Sequence, residues 1–164
     1  MEDEQTILLV DDSEDDVLLT RIAFSKARLA NRLLWVRDGE EAMEYFKGVG
    51  RFADRTRFPL PILVLLDLNM PKMTGFEFLE WFRQRKEFDS LPVAILTSSE
   101  EDPYASRAFE LGANSFLVKP PDAGTLLALV QRLQAGWKIV SGKELLESEN
   151  KAKKPKFKAS ISST

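Results

Sequence analysis

The 164-residue sequence contains no cysteine and no histidine. Without Cys there is no disulfide framework, zinc–thiolate site, iron–sulfur cluster or thiol nucleophile. Without His there is no imidazole base, no Ser-His triad, no His-ligated metal and no phosphohistidine made by this chain. Any chemistry therefore rests on carboxylates, amines and hydroxyls. Long apolar runs are missing too: Ile7-Leu8-Leu9-Val10 is far shorter than the ~18 residues that span a bilayer. The opening Met1-Glu2-Asp3-Glu4 is acidic where a signal peptide is basic. These absences lead us to expect a cytoplasmic protein with no membrane partner.

Apolar residues make up 44% of the sequence, with 11 Phe and 3 Trp, enough to cover a sheet on both faces and too much for a disordered or fibrous chain. The net charge of −3 is unevenly divided. Residues 151 to 164 hold five Lys and no acid, which leaves 18 basic and 26 acidic groups, a net of −8, in residues 1 to 150. The body is acidic and the end of the chain is basic. We expect a single domain at residues 6–138, an extension at 139–150 and a disordered basic tail at 151–164.

Short apolar runs end abruptly in polar residues. Ile7-Leu8-Leu9-Val10 stops at Asp11-Asp12, Ile62-Leu63-Val64-Leu65-Leu66 at Asp67, Val93-Ala94-Ile95-Leu96 at Thr97, and Phe116-Leu117-Val118 at Lys119. Leu33-Leu34-Trp35-Val36 before Arg37 is a weaker fifth copy. Such runs suit strands buried on both faces. Between them lie helix-period segments: Leu18, Ile22 and Leu29 after an N-cap at Ser13; Ala42, Met43 and Phe46; Phe78, Leu79 and Phe82 within 75 to 87; Pro103 to a stop at Gly112; and Leu126, Leu129, Val130, Leu133 and Trp137. Five strands alternating with five helices predict an α/β fold with a doubly wound parallel sheet. Residues 48 to 61 read as a long surface loop without chemistry of its own.

In such sheets ligands bind at the carboxyl ends of the strands, near the point where strand order reverses. If the first and third strands are neighbours, Asp11, Asp12 and Asp67 converge there. Three close carboxylates raise one another's proton affinity unless a cation sits among them, and two candidates exist, a hard divalent ion such as Mg²⁺ and the Lys119 ammonium. Asp67 could then act as a nucleophile toward phosphorus, with Thr97 donating its hydroxyl to a phosphoryl oxygen and Lys119 pairing with the remaining charge. The bland alternative is that Asp11, Asp12, Ser13 and Glu14 only cap a helix; it leaves Asp67, Thr97 and Lys119 without an explanation.

Asp11-Asp12, Asp67 in Leu66-Asp67-Leu68-Asn69-Met70-Pro71 followed by Met73-Thr74-Gly75, Thr97-Ser98-Ser99, and Lys119-Pro120 together resemble the receiver domain of bacterial two-component response regulators, from residue 6 to about 138. The resemblance implies a flavodoxin-like fold with strand order 2-1-3-4-5 and a phosphoacceptor at Asp67, charged by a phosphohistidine on a sensor histidine kinase. It implies Mg²⁺ ligated by Asp12, Asp67 and the backbone carbonyl of Asn69, with Asp11 reaching the ion through water. It further implies a switch pair, Thr97 and Phe116, a cis peptide between Lys119 and Pro120, and homodimerisation through the fourth helix, fifth strand and fifth helix, around Tyr104, Arg107 and Phe116. The long loop, the stretch from Arg107 to Pro120 and the lack of a DNA-binding domain are similar to the stand-alone receivers that partner phytochrome kinases.

Phe116 departs from the Tyr usual at its position, so any output that needs the Tyr hydroxyl is absent. Two other functions compete: an aspartyl-phosphate phosphatase and a receiver-shaped scaffold that is never phosphorylated. The phosphatase needs a general acid two residues after the nucleophile, where this chain has Asn69. A flavin site is disfavoured because Asp11 to Asp16 would repel its phosphate. The expectation is thus a phosphoryl acceptor with self-catalysed phosphorylation and dephosphorylation, rather than an enzyme. The five terminal Lys could bind polyanions, but the acidic body favours a solvated tail.

Overall fold

A computed structural model describes residues 5–70, 73–98 and 103–134. Trp137, the 139–150 extension and the 151–164 tail lie outside the described residues. Five strands, β1 (Thr6–Val10), β2 (Arg32–Val36), β3 (Leu63–Asp67), β4 (Val93–Thr97) and β5 (Ser115–Val118), pair in parallel in the order β2-β1-β3-β4-β5. Five helices alternate with them: α1 (Glu14–Lys26), α2 (Gly39–Lys47), α3 (Gly75–Arg83), α4 (Pro103–Glu110) and α5 (Ala123–Gln134). The expected doubly wound sheet and its strand order are therefore present.

The uniform hydrophobicity of the central strands follows from their two covered faces. Every residue of β1, β3 and β4 is buried. Successive side chains alternate between faces: Leu8, Val10, Val64, Leu66 and Ile95 join a core with α2, α3 and α4, while Ile7, Leu9, Leu63, Leu65 and Leu96 join a second with α1 and α5. The first core is rich in aromatic rings, with Phe46 4.6 Å from Phe82 and Phe82 stacked on Phe88 at 4.9 Å.

Two helices differ from the periodicity. In α1, Leu18 and Ile22 are 57% and 41% exposed, and the sheet is met instead by Val17, Thr20, Ala23 and Phe24. Leu29 lies beyond the helix, which ends at Lys26. Helix α3 stops at Arg83, and a 3₁₀ turn at Lys86–Phe88 tucks Phe88 into the aromatic core. Arg83 fixes that turn: it donates to the carbonyls of Phe88, Leu91 and Gly112 and to Asn114 Oδ1, at 2.7 to 3.0 Å.

The 48–61 connection is a tethered platform. Gly48 closes α2 at φ +67°, where the αL region favours glycine. Arg55 donates to the carbonyls of Tyr45, Phe46 and Phe58, and the buried Tyr45 hydroxyl donates to Pro59 O at 2.6 Å. Phe52 and Phe58 pack edge-on at 5.2 Å.

Candidate phosphoryl and metal site

The strand order reverses between β1 and β3, since β2 lies outside β1 while β4 and β5 lie outside β3. At that point the carboxyl ends deliver Asp11 and Asp12 after β1, Asp67 at the end of β3, Thr97 at the end of β4 and Lys119 after β5. All five sequence-predicted side chains therefore share one sheet edge. Carboxylate oxygens of Asp11, Asp12 and Asp67 lie within 4.8 Å of one another. Asp11 is fully buried, Asp67 is buried and Asp12 is exposed, so the cluster opens to solvent on one side.

Local hydrogen bonds set this geometry. Ser13 caps α1 by accepting from Asp16 N at 3.2 Å, while its own N–H donates to Asp11 Oδ1 at 3.0 Å. The Trp35 indole donates to the Asp11 carbonyl at 2.6 Å, and Asp11 N donates to Val36 O. On β3, Asn69 N donates to Asp67 Oδ1 at 3.3 Å, and the Asn69 side chain is exposed. Gly75 opens α3 directly over this turn: a Cβ there would collide with the Asp67 carbonyl and lie 2.7 Å from Leu68 Cα.

Lys119 is the positive centre. Its Nζ is 2.8 Å from Asp16 Oδ2 and 3.4 Å from both Asp11 Oδ2 and Asp67 Oδ1. Burial disfavours its charge, yet the hydrogen bond to Asp16 and the charges of Asp67 and Asp11 outweigh that, and its pKa rises. Burial pushes the Asp67 carboxyl up to about 6, with Lys119 opposing and Asp11 reinforcing the shift. Burial also raises Asp11, against its hydrogen bond from Ser13 and the charge of Lys119. Asp11 Oδ2 accepts no hydrogen bond. An all-oxygen donor set containing one buried carboxylate oxygen that faces Lys119 at 3.4 Å but accepts no hydrogen bond suits a hard divalent cation.

Thr97 is buried, and its carbonyl accepts from Lys119 N at 2.7 Å. The Phe116 ring is buried against Phe109 at 6.2 Å, and the Lys119–Pro120 peptide is cis. In the sequence Asp16 carries no signal beyond its place in the acidic run from Asp11 to Asp16. Its position three residues after the Ser13 cap marks the first turn of a helix, but nothing local aims it at a lysine 103 residues away.

A parallel sheet with three aspartates and a lysine gathered at its reversal point defines a receiver-type α/β domain. The chain belongs to the response regulator receiver domain family, whose model matches residues 7–131. It is 33% identical to "Response regulator Rcp1" of Synechocystis over 133 residues, covering 81% of this chain and 88% of that one. It is 34% identical to "Probable methanogenesis regulatory protein FilR2" of Methanothrix harundinacea over 139 residues, 83% of this chain and 85% of the relative. Among solved structures it is similar to the bacteriophytochrome response regulators AtBRR (37% identity, TM-score 0.71, 85% of this chain and 99% of that one) and RtBRR (34%, 0.72, 92% and 93%).

Proposed function

We propose that this receiver domain accepts a phosphoryl group on Asp67 from the phosphohistidine of a sensor histidine kinase, with Mg²⁺ held at the acidic cluster. The observation that carries this reading is the convergence of Asp11, Asp12 and Asp67 within 4.8 Å beside the Lys119 ammonium. In the transfer, an Asp67 oxygen bonds to phosphorus as the N–P bond of the donor breaks and the donor imidazole leaves. Asp12, Asp67 and the Asn69 carbonyl would hold the ion, with Asp11 reaching it through water. The bound ion supplies charge neutralisation for the incoming phosphoryl oxygens. Lys119 and the Thr97 hydroxyl stabilise the remaining phosphoryl charge. The exposed amide of Asn69 offers no general acid for turnover, which favours a phosphoryl acceptor over a phosphatase.

The kinase approaches over α1. This helix starts at the acidic site and presents Leu18, Leu19 and Ile22 to solvent, an apolar patch beside the group to be modified. Kinship with bacteriophytochrome regulators favours a phytochrome-type kinase as the donor. The signal then leaves as altered self-association at α4, β5 and α5, where Tyr104 and Arg107 pack on Phe76 and Phe116 can change its packing. Light scattering with and without beryllofluoride tests that step; a monomer in both states counts against it.

Incubation with acetyl phosphate and Mg²⁺ followed by intact mass measurement tests the acceptor. The expected result is one phosphoryl adduct, absent without Mg²⁺ and in Asp67→Asn. An adduct that persists in that variant overturns the assignment, and no adduct from any donor favours the unphosphorylated scaffold.

A further inference from the structure

The end of α2, the 48–61 platform, α3 and the 3₁₀ turn at Lys86–Phe88 border an open groove of about 680 Å³, within the usual volume range of ligand pockets. It belongs to none of the phosphoryl chemistry, since its walls come from the α2 and α3 side of the sheet and no site aspartate lines it. Its floor is apolar: Phe46 and Phe88 are buried, Trp81 is half-buried, and Leu60 stands 52% exposed at the edge.

The lining carries three cations, Lys47, Arg55 and Arg85, against one acid, Glu87. Two of them are held at the Trp81 ring, Arg85 at 4.9 Å and Lys47 at 5.8 Å from its centroid. Among the described residues no carboxylate lies within ion-pair distance of Lys47 or Arg55, and Arg85 meets Glu87 only at 4.0 Å. Residues 1–150 carry a net −8, so a lining with three cations and one acid around a half-buried Trp81 is a local reversal of the protein's character. Tryptophan and arginine at the rim of an apolar pocket are the residue types that dominate protein–protein binding energy.

We infer that this groove is a docking site for an acidic peptide segment of a partner protein, whose bulky apolar side chain fills the Phe46–Trp81–Phe88 floor while its carboxylates pair with Lys47 and Arg85. The tethers of Arg55 and Tyr45 keep the platform in its binding shape, which lowers the ordering cost of association. The site lies outside the acidic phosphoryl cluster, so the chain can be phosphorylated and docked at once.

The test is fluorescence anisotropy of the full chain with a peptide labelled at its N-terminus, fluoresceinyl-Glu-Asp-Leu-Phe-Glu-Asp-Phe-Glu-amide. Saturable binding is expected, with Arg85→Glu and Lys47→Glu each weakening it about tenfold, as truncation of a hot-spot cation does. Leu60→Ser, a surface change that leaves the core intact, weakens it as well, and a probe with Ser in place of Leu and Phe does not bind. Changing Lys151, Lys153, Lys154, Lys156 and Lys158 to Gln leaves binding in place. The proposal fails if the peptide does not bind, if Arg85→Glu and Lys47→Glu leave its affinity unchanged, if affinity follows the five terminal Lys, or if oligo-dT or phosphatidylserine vesicles displace the peptide from this pocket.

Discussion

Among the described residues the nearest anion to the Lys119 ammonium is Asp16, at 2.8 Å, and not Asp67, the proposed acceptor, at 3.4 Å. Helix α1 thereby holds the lysine to one side of the acidic cluster. Asp16→Asn releases it toward Asp11 and Asp67, where its charge competes with a divalent ion. Mg²⁺ affinity is expected to fall by about threefold to tenfold, in line with the ~1 kcal/mol of a partly exposed ion pair. Calorimetric titration with Mg²⁺ measures this directly, and an unchanged dissociation constant would mean that Asp16 does not steer the lysine.

The pKa of Asp67 has a defined consequence for stability. Its folded value is raised from 3.8 to about 6, so between those values the native state binds more protons than the unfolded one. Metal-free protein therefore loses stability as pH rises through that window, and Asp11, shifted in the same direction, adds to the loss. Asp67→Asn removes the buried charge. It is expected to unfold at a higher temperature than the parent at neutral pH without metal, with the gap closing below about pH 4. Parallel melts across pH decide it, and Mg²⁺ narrows the gap at neutral pH by stabilising the parent.

Gly75→Ala forces a methyl group into the Asp67 carbonyl and Leu68 Cα. Because the obstacle is backbone, the start of α3 must move. A loss of roughly 1–3 kcal/mol in denaturant titration is expected, as for other overpacked sites, together with slower phosphoryl acceptance at Asp67. Unchanged stability and rate would show that α3 can shift without disturbing the acceptor.

The proposed kinase-docking face can be separated from the chemistry. Leu18→Glu and Ile22→Glu alter only exposed side chains, so phosphorylation by acetyl phosphate stays at the parental rate. Transfer from an autophosphorylated histidine kinase slows about tenfold or more if α1 is the contact, as expected for the loss of an interface anchor. Equal slowing with both donors would point to damage at the site itself.

Much of this was legible from a one-dimensional pattern, for a physical reason. Strands buried on both faces have to be continuously apolar, so β1, β3 and β4 show both where they run and where they end. In a parallel sheet those ends all face one way, which is why Asp11, Asp67, Thr97 and Lys119 could be placed together. Helix α1 resisted because its sheet-facing stripe includes Thr20 and Ala23, while Leu18 and Ile22, the more hydrophobic residues, face solvent. Arg83 and Asp16 were invisible for another reason. Their partners come from segments far away in the chain, and no local spacing encodes a guanidinium that satisfies carbonyls of two loops. The 48–61 loop, read as inert, owes its order to Arg55 and Tyr45 contacts of the same non-local kind.

Asp67 closes a strand paired on both sides, to β1 through Leu66 and to β4 through its own register with Leu96. Amide protons in such a central strand exchange with solvent only when the whole domain opens, so Asp67 is expected in the slowest-exchanging part of the molecule. If Asp67 is phosphorylated as proposed, deuterium uptake is predicted to differ between the two states along the edge strand β5, which pairs only with β4, while β1 and β3 stay silent.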